Sequence, residues 1–282
     1  MTIRLATWNL ERVSPRAWRR APAQQRRMAE VAADIWVLTE TFVTRSPGDG
    51  FCGVFSPSHP ERHPDPDERW TAIWSRWPIK MVKDPAPHRR GTVTALVSTP
   101  VGPLLVYGTV MAYQHEPNHD DGHPARGWEV HTAEVARQVV EWRRLRELFA
   151  GVPLVVAGDF NQARSGARWS YGTNAARQAA TDGLDQAGLV CLTQVDLAPA
   201  GVVSERSHVE HICASAELTP ESSVLAWDRV DTEGIRLSDH PTIAIDLRTT
   251  LQAEPIEPGP VPPPKHNSAR AVSEHRPLPP DT

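Results

Sequence analysis

Short apolar runs bounded by Pro, Gly or Asp recur along the chain as far as Thr250. They predict β-strands at Ile3–Trp8, Ile35–Thr39, Trp70–Ser75, Val93–Ser98, Leu104–Val110, Leu154–Ala157, Val209–Ala214 and Thr242–Leu247. A different period appears between His131 and Phe149. There Val135, Val139, Trp142, Leu145 and Phe149 share one helical face, and Gly151 stands where a glycine favours helix termination. Further helices are predicted near Pro22–Ala33 and across Ala175–Ala187, the latter ending at Gly188. No internal repeat is visible. Many strands with few long helices favour an α+β sandwich over a doubly wound parallel sheet.

The pattern stops after Thr250. Residues 251–282 hold nine of the 27 prolines and almost no large apolar side chains, so they cannot offset their ordering entropy by burial. The expected organisation is one catalytic-sized domain over residues 1–250 and a Pro-rich, disordered tail over 251–282. A net charge of −4 argues against a broad basic face for nucleic acid, although a local basic rim would not show in the sum. Cys52, Cys191 and Cys213 have no metal or redox spacing and suit buried, reduced thiols. The first residues lack the apolar stretch of a signal peptide, and no run of about 18 apolar residues occurs, so no membrane span is expected. A cytoplasmic monomer is the expectation.

Four polar clusters stand beside predicted strands: Asn9 after the first, Glu40 ending DIWVLTE, Gly158-Asp159-Phe160-Asn161 ending VPLVVAGDFN, and Ser238-Asp239-His240 just before the last. Strand ends share a rim, where active sites commonly form. Glu40, Asp159 and Asp239 offer hard oxygen ligands and Asn9 a neutral one, a set suited to Mg²⁺, with Mn²⁺ fitting the same donors. No cysteine ligand set or HExxH helix points to zinc. His240 could be kept protonated by a nearby carboxylate and aimed at a phosphoryl oxygen. Positioning and charge neutralisation are what phosphoryl transfer needs.

WN near the start, a Glu after the second strand, GDFN past the middle and SDH near the end resemble the endonuclease/exonuclease/phosphatase superfamily over roughly residues 1–248. The resemblance implies a four-layer α/β/β/α sandwich, two packed mixed β-sheets flanked by helices, and a metal-dependent hydrolase of phosphate esters. It implies that Asn9, Glu40 and Asp239 lie at the metal, that Asp159 activates or orients water, and that Asn161 and His240 contact the phosphate. The Asp that pairs with the final histidine in the family is matched here by Glu210, one methylene longer. Where many members place Thr-His-Leu, this chain has Ala112-Tyr113-Gln114, and Tyr113 is the substitute candidate. Thr39 stands where Gln commonly precedes the Glu.

Two loops could add contacts. His115, His119, His123, Asp120 and Asp121 could hold a second metal, but Pro and Gly break any helical ligand spacing and a solvated loop is the simpler reading. Arg164, Arg168, Trp169, Tyr171 and Arg177 could grip phosphate and stack a ring, with His88-Arg89-Arg90 a weaker case; a solvated loop again competes. The expected substrate is a phosphate ester, nucleic acid being one open class. A binding or scaffold protein that keeps the fold without catalysis is the alternative.

Overall fold

The computed structural model describes residues 1–58, 65–82, 91–114, 127–164, 171–197 and 208–249. The Pro-rich segment 251–282 lies outside them, as do His115, His119, His123 and His88-Arg89-Arg90. The chain opens with β1 (Ile3–Asn9), α1 (Arg20–Val31), β2 (Ile35–Phe42), β3 (Cys52–Phe55), β4 (Glu68–Ser75) and β5 (Ile79–Met81). It continues with β6 (Val93–Thr99), β7 (Gly102–Val110), α2 (Glu129–Leu148), β8 (Leu154–Asp159), α3 (Asn174–Gln186) and β9 (Leu189–Cys191). It closes with β10 (Glu210–Ser215), β11 (Leu218–Pro220), β12 (Leu225–Trp227) and β13 (Thr242–Thr249).

These strands form two mixed sheets. One runs β11-β13-β1-β2-β4-β3, with β12 also paired to β13; the other runs β5-β6-β7-β8-β10-β9. Each has one parallel pair at its centre, β1 with β2 and β7 with β8, joined across α1 and α2 respectively. Parallel neighbours need such a crossover. The remaining ladders between adjacent strands are antiparallel.

Alternation along the strands sends one side chain set between the sheets and the other outward. Leu5, Val37, Ile73 and Ile243 meet Val97, Val106, Val155 and Ile212 in the central core. Met28 and Val31 of α1 pack with Trp8 and Trp36 on the outer face of the first sheet. Val135, Val139, Trp142 and Leu145 of α2, with Ala180 and Leu184 of α3, cover the second. The layers are therefore α/β/β/α, as the resemblance implied.

Helix α2 buries more than its apolar stripe. His131, Glu134, Gln138 and Glu141 are also buried. Nδ1–H of His131 donates to Ala112 O at 2.7 Å, and Glu134 Oε2 accepts from Ala112 N at 2.7 Å. Gln138 bonds Thr109 Oγ1 at 3.0 Å, and Glu141 Oε2 accepts from the Tyr107 hydroxyl at 2.6 Å. This polar stripe clamps β7 and its continuation to Ala112. Cys191 and Cys213 are buried and lie opposite each other on β9 and β10, but Cys52 is exposed, contrary to the expectation of buried thiols.

Candidate active site

Both parallel pairs end at one edge of the sandwich. Asn9 is the last residue of β1 and pairs in register with Thr39 of β2, next to Glu40. Asp159 is the last residue of β8 and the register partner of Glu210, the first residue of β10. The turn 238–240 precedes β13 and is tied to β1: Ser238 Oγ donates to Asn9 O at 2.6 Å, and Trp8 Nε1 donates to His240 O at 3.1 Å. All four predicted clusters thus converge through strand register and short turns.

The backbone here is strained. Glu11, Arg12, Glu40 and Asn161 adopt φ values of 53°, 47°, 48° and 48°. Non-glycine residues pay about 1–3 kcal/mol each for sparsely populated conformations, and such strain gathers at functional sites. Sequence reading ended the second strand at Thr39. In the structure β2 runs on to Phe42, and Glu40 forms a left-handed kink inside it. Gly158 has φ 141°, and a Cβ there would lie 1.9 Å from Thr109 O. Only glycine fits this close approach of β8 to β7.

Asp159 is buried at the centre. Its Oδ2 accepts from Asn9 Nδ2 at 3.0 Å and its Oδ1 from Asn161 N at 2.8 Å. Asn161 is held in turn by Nδ2 donating to Met111 O at 2.8 Å. Beside Asp159, Nδ1 of His240 contacts Oε1 of Glu210, whose carboxylate is fully buried. One ligating atom each from Asp159, Glu210 and His240 falls within 4.8 Å of the others.

Burial pushes the Asp159 carboxyl up to about 7, reinforced by the Glu210 charge and opposed by His240, the Asn161 N–H and Asn9. Burial alone would depress His240, but the carboxylates of Glu210 and Asp159 outweigh it and hold the imidazolium well above its usual range. For Glu210 burial acts upward, yet His240 wins and the carboxyl is lowered. The pair is therefore imidazolium and carboxylate.

Asn9, Glu40 and Asp239, the residues expected at a metal, each present a side-chain oxygen at this edge that could hold a divalent cation. Asn9 Oδ1 accepts from Glu11 N at 2.8 Å and retains a second lone pair. The Asp239 side chain is half-exposed, with Oδ1 at 3.6 Å from His240 Nε2. An all-oxygen set with solvent on one side suits Mg²⁺ or Mn²⁺, which keep water ligands. Glu40 also holds Arg12, with Nη1 at 3.0 Å from Oε2. Sequence reading missed Arg12, although it lies three residues after Asn9.

Tyr113 follows β7 and is exposed, its neighbour Gln114 N donating to the Tyr171 hydroxyl at 3.4 Å. Arg164 turns toward α3. Its Nη1 donates to Arg177 O at 3.3 Å and its Nη2 to Thr181 Oγ1 at 2.9 Å. Arg168 and Trp169 lie outside the described residues.

The model of the Endonuclease/Exonuclease/phosphatase family matches residues 6–240. The chain belongs to this family. Phosphoester hydrolysis is the activity shared by the nucleases and phosphatases of the endonuclease/exonuclease/phosphatase family. Among solved structures, the catalytic domain of human Nocturnin with bound sulfate is 18% identical at TM-score 0.60, covering 88% of this chain and 95% of that one. The AP endonuclease LMAP of Leishmania major is 13% identical at TM-score 0.61, with 88% of each chain covered. The 3'-5' exonuclease NExo of Neisseria meningitidis is 21% identical at TM-score 0.57, covering 86% and 98%. At these identities the likeness shows the shared fold. No curated protein matches the chain. No helix among the described residues is long and apolar enough to cross a membrane.

Proposed function

We propose that the protein is a divalent-metal-dependent hydrolase of phosphate esters, in which Asp159 accepts a proton from the attacking water. The observation that carries this reading is the buried Asp159 carboxylate, oriented through both oxygens by Asn9 and Asn161 and set beside the His240–Glu210 ion pair. A carboxyl held near neutrality is matched to a general base at working pH. Glu210 keeps His240 protonated with Nδ1 engaged, so Nε2–H donates toward the phosphoryl oxygens. The Asn161 backbone N–H and amide Nδ2 are both committed within the protein, which holds the side chain beside Asp159 and supports a role for the Oδ1 side of its amide near the substrate. Tyr113 is exposed just after β7, and its hydroxyl is the candidate for a further donor to the same group.

Asn9, Glu40 and Asp239 would hold the cation, Mg²⁺ or Mn²⁺, which when bound neutralises phosphoryl charge. The domain extends over residues 1–250, with 251–282 as an appendage, and the chain acts as a monomer. Net charge favours small phosphodiesters over tight duplex binding, which relies on phosphate neutralisation. The test is hydrolysis of a small phosphodiester and a phosphomonoester with Mg²⁺, Mn²⁺ or Ca²⁺, with and without EDTA. Turnover of either ester that EDTA removes and Mg²⁺ or Mn²⁺ restores is expected. Full turnover in excess EDTA would overturn the metal requirement, and no turnover by the folded protein under any condition would overturn the activity.

A further inference from the structure

Arg12 occupies a place between the metal-side carboxylate and the next strand. Leu10 N donates to Thr39 O at 2.9 Å and Arg12 N to Glu40 O at 3.0 Å, which lays the β1–α1 loop along the kink in β2. Both Arg12 and Glu40 have left-handed backbone, and their side chains meet. The guanidinium then reaches two acids: Nη1 lies 3.0 Å from Glu40 Oε2 and Nε lies 2.9 Å from Glu68 Oε1. Its carbon sits 4.4 Å from the centroid of the Trp70 ring. Glu68 and Trp70 both belong to β4, the neighbour of β2.

The two ion pairs differ. Glu68 is buried and repelled by Glu40, and Arg12 is the cation that offsets both. Glu40 is more exposed and carries the same guanidinium with a single close contact. A cation arriving at Glu40 would therefore displace Arg12 from that carboxylate alone, leaving it anchored on Glu68 and Trp70. An arginine so anchored cannot leave the rim, and its charge repels the incoming ion.

We infer that Arg12 is a resident counter-cation that competes with the divalent metal for Glu40 and so limits how tightly the metal binds. This rests on the proposed assignment of Glu40 to the metal. In the metal-free protein Arg12 neutralises Glu40 and holds it in place; with metal bound, its guanidinium stays beside the site as a second positive charge for a phosphate.

The test is Mn²⁺ titration of the full chain by electron paramagnetic resonance, alongside thermal melts with and without Mn²⁺. Arg12→Gln is expected to tighten Mn²⁺ binding by about tenfold, as loss of a nearby like charge predicts. It should also enlarge the rise in Tm that Mn²⁺ produces. In the Glu40→Gln background, where the shared carboxylate is gone and only charge repulsion remains, Arg12→Gln should tighten Mn²⁺ binding clearly less than it does in the wild type. Arg12→Met, which keeps an unbranched stem over Trp70, carries the same test if the Gln variant does not fold. A folded variant with a lower Tm but unchanged or weaker Mn²⁺ binding would make Arg12 a brace of the loop and overturn the inference. Failure of the underlying assignment looks different: Glu40→Gln would then bind Mn²⁺ as the wild type does.

Discussion

His240 and Glu210 join the two sheets at their shared edge. His240 precedes β13 in one sheet, Glu210 opens β10 in the other, and Nδ1 meets Oε1 between them. The first prediction follows from this pair. Glu210→Gln removes the charge that raises His240, so the imidazole should deprotonate at lower pH. Activity that needs imidazolium should lose its alkaline limb earlier, with lower turnover at neutral pH. His240→Ala should cost roughly 10²–10⁴ in kcat. A pH–rate profile of Glu210→Gln that overlays the wild type would show that His240 has another controlling partner.

Asp159 ties function to instability. Its folded carboxyl is raised to about 7, above the usual carboxylate value, so its contribution to stability is full below the unfolded pKa and is lost as pH rises toward and through 7. The metal-free wild type should therefore lose stability relative to Asp159→Asn as pH rises from about 4 to about 7, with little further change above that. The same substitution should reduce kcat by roughly 10²–10⁴ as a lost general base. Denaturant midpoints of the two proteins, measured without metal, read the first effect. A gap between them that stays constant with pH would show that burial of Asp159 is not being felt.

Glycine is required at position 158 by geometry. Gly158→Ala would set a Cβ against Thr109 O and force a backbone that side chains avoid. A loss of at least about 1–3 kcal/mol is expected from the conformation alone, before the clash is counted. Activity should fall with it, because Asp159 is the next residue. A melt within one or two degrees of wild type would mean that the β7–β8 approach is looser than described.

Arg164 should matter for folding and not for substrate. Its two hydrogen bonds run to α3, so Arg164→Ala should lower stability by about 1–3 kcal/mol while leaving KM unchanged. A raised KM with an unchanged melt would return Arg164 to the substrate.

The long strands and all three helices were legible because their periods extend over several residues. β3, β5, β9, β11 and β12 were not predicted; each has three or four residues, too few to show alternation. The apolar face of α2 was readable, but the buried stripe of His131, Glu134, Gln138 and Glu141 was not, since polar residues at helical spacing look like a solvated face until β7 supplies their partners. Asn9, Asp159 and His240 were singled out by motif order and strand position and Glu210 by the family resemblance, and the structure brings these four together. Arg12 escaped because its meaning lies in two acids, 28 and 56 residues further on, that only the β2–β4 ladder places side by side. The direction of Arg164 was hidden for the opposite reason: an arginine beside a motif says nothing about which way it turns.

Among the described strands β1 is made before the others yet lies between β2 and β13, the last of them to be made. A nascent chain can pair β1 with β2 early, but the other edge of β1 stays open until residues 242–249 leave the ribosome. Asn9 waits equally long for Ser238 and His240. Such a distant closure slows folding and exposes an unpaired edge meanwhile. It also means that a message cut short anywhere before His240 yields a chain without the His240–Glu210 pair, so the edge where the two sheets meet is assembled only at the very end of the domain's synthesis.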